Sequence, residues 1–208
     1  MGMTLPEPLS FFDRLYFYFF YRMKSLKFDL PENRVGWRSR QNQEIRFEML
    51  ASIGDLKGKK ILDAGCGLGC FYGYLRDRGW DGEYTGFDIL DFMVRDAQKR
   101  FSGAQFLQGD FAEKFPEGQW DLVFVNGVFN HRVKDNWEWM RQGLAQCLAH
   151  AKEGVAFTLL NAEGGWMDKD LFYAHPQQLE EKIRKWHGGN YKIVGHYLPE
   201  DLTVYLYK

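Results

Sequence analysis

Four stretches of this sequence set chemically capable side chains beside backbone that can come close to a ligand. Residues 61–69 read ILDAGCGLG, and Gly65, Gly67 and Gly69 let the chain turn sharply where a side chain would collide with a bound molecule. Asp63 adds a carboxylate just ahead of that turn. A helix opening after the turn would aim its free N–H groups into the crevice. The apolar run 84–88 ends in Asp88, and a carboxylate at a strand tip can accept both hydroxyls of a ribose. Gly109 and Asp110 follow the next run, with Phe111 able to lie against a flat ring. His131 follows the run 120–126, where an imidazole can take a proton near neutral pH.

These residues need strands that end together. Short apolar runs occur at 60–64, 84–89, 104–108, 120–126 and 154–160, separated by helical periodicity. The helical segment 68–78 stops at Gly79, Asp91 is placed to cap the next helix, and Asp135 with Glu138 has capping-box spacing. Pro176 suits the first turn of a helix carrying Leu179, Ile183 and Trp186, which Gly188-Gly189 ends. The runs 191–197 and 202–208 are joined too closely for a parallel crossover, so they must pair antiparallel. The pattern predicts an α/β fold with a doubly wound, mostly parallel seven-stranded sheet and an antiparallel terminal strand. Upstream, residues 7–27 read as an aromatic-rich helix and 39–53 as a second.

The 208 residues suit one domain, and 45% hydrophobic with 26% charged residues is ordinary globular composition. A formal charge of -1 offers no global positive field for nucleic acid. The basic run Arg34, Arg38, Arg40 and Arg46 is broken by Glu44 and reads as a solvated helix face. Cys66, Cys70 and Cys147 form no ligand-like cluster or disulfide framework, which fits a reducing, cytoplasmic setting. The start of the chain lacks signal-peptide order, and the apolar run 15–21 is far shorter than the roughly 20 residues of a membrane span.

The four stretches together resemble the class I S-adenosylmethionine-dependent methyltransferases. ILDAGCGLG is similar to that family's first motif, GFDI at 86–89 to the second, QGDF at 108–111 to the third and WDLVFVNGVFNH at 120–131 to the fourth. The resemblance covers about residues 37–208, leaving 1–36 as an aromatic-rich helical lid or packing segment. It implies S-adenosylmethionine as cofactor and S-adenosylhomocysteine as product. Gly65, Cys66 and Gly67 would line the amino-acid end of the cofactor, with Asp63 near its ammonium. Asp88 would hold the ribose hydroxyls, Ile89 and Met93 would pack the adenine, Asp110 would accept from its amino group and Phe111 would contact the ring. Asn126 and Gly127 would lie beside the methionine portion. Trp37, Gln43 and Arg46 are similar to a helix folded over the cofactor carboxylate. Trp37 with Ser39, Gln43 with Arg46-Phe47, Gly127 to Asn130 and the terminal TVYLYK further resemble small bacterial members of undefined acceptor.

The implied reaction is methyl transfer to an oxygen or nitrogen of a small-molecule acceptor. His131 is the expected base, and Tyr16, Phe129, Asn130, Tyr173 and His175 are the expected acceptor wall. The insert 161–175 should cover the site mouth. In the first helix, Phe12, Tyr16 and Phe19 would close over the acceptor. That helix could instead pack on the domain or a second copy, or lie on lipid through Arg14, Arg22, Lys24 and Lys27. The alternatives are a non-catalytic S-adenosylmethionine-binding regulator and an NAD(P)-binding oxidoreductase, whose fingerprint wants glycine or alanine where Cys70 stands. No Asn-Pro-Pro string or Pro-Cys nucleophile points to nucleic-acid methylation, and Asn126 and Asn161 provide no paired carboxylate for a metal. No nucleic-acid partner, no metal and a monomer or homodimer are expected.

Overall fold

Alternation along the strands sorts the apolar side chains onto two faces of one sheet. In the computed structural model, which describes residues 9–37, 39–165 and 167–208, the sheet is built from β1 (Lys60–Ala64), β2 (Glu83–Asp88), β3 (Gln105–Gln108), β4 (Trp120–Val125), β5 (Ala151–Asn161), β6 (Tyr173–Ala174), β7 (Tyr191–Val194) and β8 (Asp201–Tyr207). Leu62, Val123, Val125, Val155 and Phe157 face one side, and Ile61, Leu122, Phe124 and Ala156 the other. Helices α1 (Phe11–Lys27), α2 (Pro31–Arg34), α3 (Arg40–Ala51), α4 (Cys70–Asp77), α5 (Asp91–Arg100), α6 (Asn136–His150) and α7 (Pro176–Trp186) complete the chain. Residues 7, 8 and 38, which belong to the expected first helix and the basic run, lie outside the described residues.

The strand order is β3-β2-β1-β4-β5-β8-β7. Pairings from β3 through β5 are parallel, whereas β8 runs antiparallel to both β5 and β7. The order reverses direction between β1 and β4, the switch point at which open α/β sheets form a crevice beyond their strand ends. The seven expected runs are all strands. The eighth, β6, is a two-residue addition within the 161–175 insert, paired with the end of β5. The run expected at 191–197 stops at Val194, and His196 takes a left-handed φ of 68.

Local signals account for most helix ends. Ser10 and Asp13 form a capping box on α1, Ser39 accepts the Asn42 N–H at the start of α3, and Asp135 accepts the Glu138 N–H. Asp91 departs from expectation: it is the first helical residue of α5, whose N-cap is Leu90, and its carboxylate pairs with Arg95. The basic run dissolves into separate ion pairs, Arg34 with Asp96, Arg40 with Glu44 and Arg46 with Asp201.

Candidate active site

The tips of β1, β2 and β4 open into a cavity of about 610 Å³, roofed by α1. At the end of β1 the Gly65 and Cys66 N–H groups donate to the Phe87 carbonyl at 2.8 and 3.0 Å, folding the turn back across β2. Gly65, Gly67 and Gly69 all have positive φ, and a Cβ at Gly65 would collide with Val128. Asp88 clasps the same turn. Its Oδ2 accepts the Gly67 N–H and its Oδ1 the Leu90 N–H, each at 2.9 Å. Asp88 also lines the cavity. Burial pushes its pKa up, against the backbone N–H groups of Leu90, Gly67 and Ile89.

Asp63 is 2% exposed and accepts a hydrogen bond from the Tyr84 hydroxyl. Burial pushes its carboxyl up to about 7, with Asp88 adding and Tyr84 opposing. Asp110 is more fully engaged. Its Oδ1 accepts from Ala112 at 2.8 Å and Glu113 at 2.6 Å, while Oδ2 meets the Arg14 guanidinium of α1 at 2.6 Å. Burial alone would raise its pKa, but the Glu113 amide, Arg14 and the Ala112 amide hold it below the usual carboxylate range. Beyond β4, Thr158 donates to Asn126 Oδ1 and accepts the Gly127 N–H, both at 2.9 Å, which fixes that corner. Gly127 has a φ of 70, and a Cβ there would stand 2.9 Å from the Trp37 ring.

His131 lies under α1, 6% exposed, with its Nε2 2.8 Å from the Tyr21 hydroxyl. Phe17, Phe20, Tyr21 and Tyr16 surround its ring at 5.0 to 5.9 Å. Desolvation lowers its pKa to about 4, with nearby Lys24 contributing, so the ring is neutral at physiological pH. Its Nδ1 and the Oδ1 of Asn130 are buried without a hydrogen-bond partner among the described residues. Among the described residues no group of three or more His, Cys, Asp or Glu side chains could hold a metal ion.

A family model described as a methyltransferase domain matches residues 61–154, the stretch that forms this crevice. A candidate methyltransferase of Mycobacterium tuberculosis, Rv1506c, is 29% identical over 154 residues, covering 71% of this chain and 92% of that protein. Residues 61–154 thus match a methyltransferase domain, and the chain is similar in sequence and fold to class I S-adenosylmethionine-dependent methyltransferases. The trans-aconitate 2-methyltransferase of Afipia carboxidovorans is 32% identical over 82 residues; the match takes in 39% of this methyltransferase but only 32% of the relative. The solved structure of magnesium protoporphyrin IX methyltransferase from Synechocystis PCC 6803 with bound SAH is similar in fold, with a TM-score of 0.63 and 19% identity over 94% of this chain and 97% of that one.

In this methyltransferase the cavity gathers Asp63, Gly65, Cys66, Gly67, Asp88, Ile89, Met93, Asp110, Phe111, Asn126, Gly127, Trp37, Gln43 and Arg46 on its walls, together with Tyr16, Asn130, His131 and Tyr173. Two expected acceptor residues fall elsewhere. Phe129 is fully buried, stacked on Phe111 and set edge-on to Trp139 and Phe157, because the 3-10 turn Val128–Asn130 drives its ring beneath α6. His175 is an exposed residue at the N-cap of α7 and does not line the cavity. The face expected of α1 is also corrected. Phe17, Phe20, Tyr21 and Lys24 line the cavity, whereas Phe12 and Phe19 turn outward. Arg46 is already held by Asp201 and by the Asn42 carbonyl, and its guanidinium stacks on Trp37 at 4.4 Å. Sequence reading missed Arg14, Tyr21 and Thr158. Only the Arg14–Tyr21–Lys24 helical spacing carried a signal, hidden among aromatics on every side of the helix.

Proposed function

We propose that this enzyme methylates an oxygen or nitrogen of a small-molecule acceptor held beneath α1, beside His131. The observation that supports this reading is one continuous cavity of about 610 Å³, whose wall runs from the glycine turn to the Tyr21–His131 pair. Its volume falls within the range of small-ligand sites, roughly 300–1,000 Å³. The name of the trans-aconitate relative agrees with a small acceptor. The three free cysteines agree with a reducing, cytoplasmic setting.

The turn fits a nucleoside cofactor on its own geometry: the bare backbone of Gly65 and Gly67 lines the cavity, and the Asp88 carboxylate stands beside it. Bound S-adenosylmethionine supplies an electrophilic methyl group on a sulfonium. Asp88 would hold the ribose hydroxyls and Asp63 the ammonium, with Ile89, Met93 and Phe111 against the adenine. Asp110 already accepts three backbone N–H groups and Arg14, so the adenine amino group would have to share Oδ2 with the guanidinium. Trp37, Gln43 and Asn126 would border the amino-acid end. His131 acts as a neutral ring, paired with Tyr21 through Nε2, and would accept a hydrogen bond from the nucleophile on Nδ1 once the roof moves to uncover that atom. Tyr16, Asn130 and Tyr173 would complete the acceptor wall. Alignment of the nucleophile supplies most of the acceleration, and a water-free roof preserves it.

The test is incubation with labelled S-adenosylmethionine and fractionated small-molecule extracts. A labelled small product, formed by wild type and strongly reduced in Asp88→Ala, is the expected result. Binding of S-adenosylhomocysteine without turnover on any fraction would favour the regulatory alternative.

A further inference from the structure

Helix α1 has two apolar faces, and only one of them is used by the site. The inner face, Phe17, Phe20 and Tyr21 with Lys24, roofs the cavity. Among the described residues nothing covers the outer face: Phe12 is 78% exposed, Leu26 69%, Met23 63% and Phe19 57%. Among the described residues, the exposed large apolar side chains are Met167 and a set lying wholly within residues 11–30. Phe12, Leu15, Phe19, Met23 and Leu26 recur at three- and four-residue steps, which places them in one stripe along 17 helical residues, about 25 Å. At 3.6 residues per turn, Arg22 and Lys27 fall on opposite flanks of that stripe, and both are exposed. The only carboxylate of the helix, Asp13, is engaged at its N-cap by the Ser10 N–H and hydroxyl. The other basic residues do not face outward, since Arg14 is bound to Asp110 and Lys24 lines the cavity.

We infer that the outer face of α1 docks on an anionic bilayer surface, with the helix lying in the headgroup plane. Aromatic and aliphatic side chains flanked by cations match an apolar layer beneath negatively charged phosphates. A second copy fits less well: pairing this face with itself would bring two cation-flanked surfaces together, with the one helix carboxylate already engaged at the N-cap. No helix among the described residues is long and apolar enough to cross a membrane, so the association is peripheral. The inference goes beyond the proposed reaction and does not depend on it.

Flotation of the full chain with phosphatidylcholine vesicles, with and without phosphatidylglycerol, tests the docking. The chain should float with the anionic vesicles, far less with phosphatidylcholine alone, and raised salt should release it. The double substitution Phe12→Ser with Phe19→Ser should lower the bound fraction roughly tenfold or more. Arg22→Glu with Lys27→Glu should abolish the preference for phosphatidylglycerol. None of these residues lines the cavity, so an unchanged thermal shift with S-adenosylhomocysteine reports an intact fold in each variant. Should the aromatic variant lose that shift, the charge-reversal variant decides alone. Failure to float on anionic vesicles at low salt overturns the proposal. So does a dimer in solution that Phe12→Ser with Phe19→Ser splits into monomers, or vesicle binding that arises only after residues 1–8 are removed.

Discussion

Asp63 shows how an ordinary carboxylate becomes a titrating group in the neutral range. Burial lifts its pKa to about 7, so in the empty site it is largely protonated below that value. A bound ammonium needs the ionised form, so affinity should be level above pH 7 and fall as pH drops, by up to about tenfold per unit. Titration of S-adenosylhomocysteine binding between pH 5 and 8, in wild type and Asp63→Asn, checks this; the variant should bind weakly with a flat profile. Gly65 is constrained twice, by its left-handed φ of 80 and by Val128 beside it. Gly65→Ala should lose about 2 kcal/mol or more in chemical denaturation, and cofactor binding with it. The sharp turn at Gly65 was legible in the sequence, where a glycine string at a strand end stands with Asp88 and Asp110 at the next two strand ends. Phe129 was not, since adjacency to His131 says nothing about which way a 3-10 turn throws a ring.

At the scale of elements, strands and most caps were readable because period and punctuation agree: continuous apolar runs in β4 and β5, alternation in β8, glycine after α4, proline at the start of α7. Helix α1 was readable as a helix but not in orientation. Aromatics occupy most of its circumference, so the sequence offers no contrast to rank one face above another. The structure makes the inner face specific through Arg14 to Asp110 and Tyr21 to His131. Tyr21→Phe removes the second tether while leaving the ring packed. We expect kcat to fall several-fold, with S-adenosylhomocysteine affinity near wild type. His131 has its pKa lowered to about 4, so it stays neutral above that value and protonates only as pH falls toward 4. The wild-type pH–kcat profile should therefore lack an inflection from this ring near 6.5, and finding one that disappears in His131→Gln would place the ring in water.

On the scale of the whole molecule, Arg46 on α3 and Asp201 at the start of β8 are 155 residues apart and form a buried ion pair. No local pattern announces such a partner, which is why Arg46 reads from sequence as part of a solvated basic face or as a ligand residue, and not as half of a buried ion pair. Removing one member leaves the other charged and unpaired, a loss of about 3–5 kcal/mol. Asp201→Ala should show it in denaturant unfolding, and Asp201→Leu combined with Arg46→Met should restore much of it. The bond between Arg14 and Asp110 has a different consequence, one of tempo. It joins the roof to the loop after the third strand, so lifting the roof away from that side of the cavity means breaking this joint. Residence time then becomes a property of the roof. Arg14→Ala should hasten release of S-adenosylhomocysteine in stopped-flow measurements several-fold more than it slows capture, and high salt should mimic the substitution by loosening the same joint.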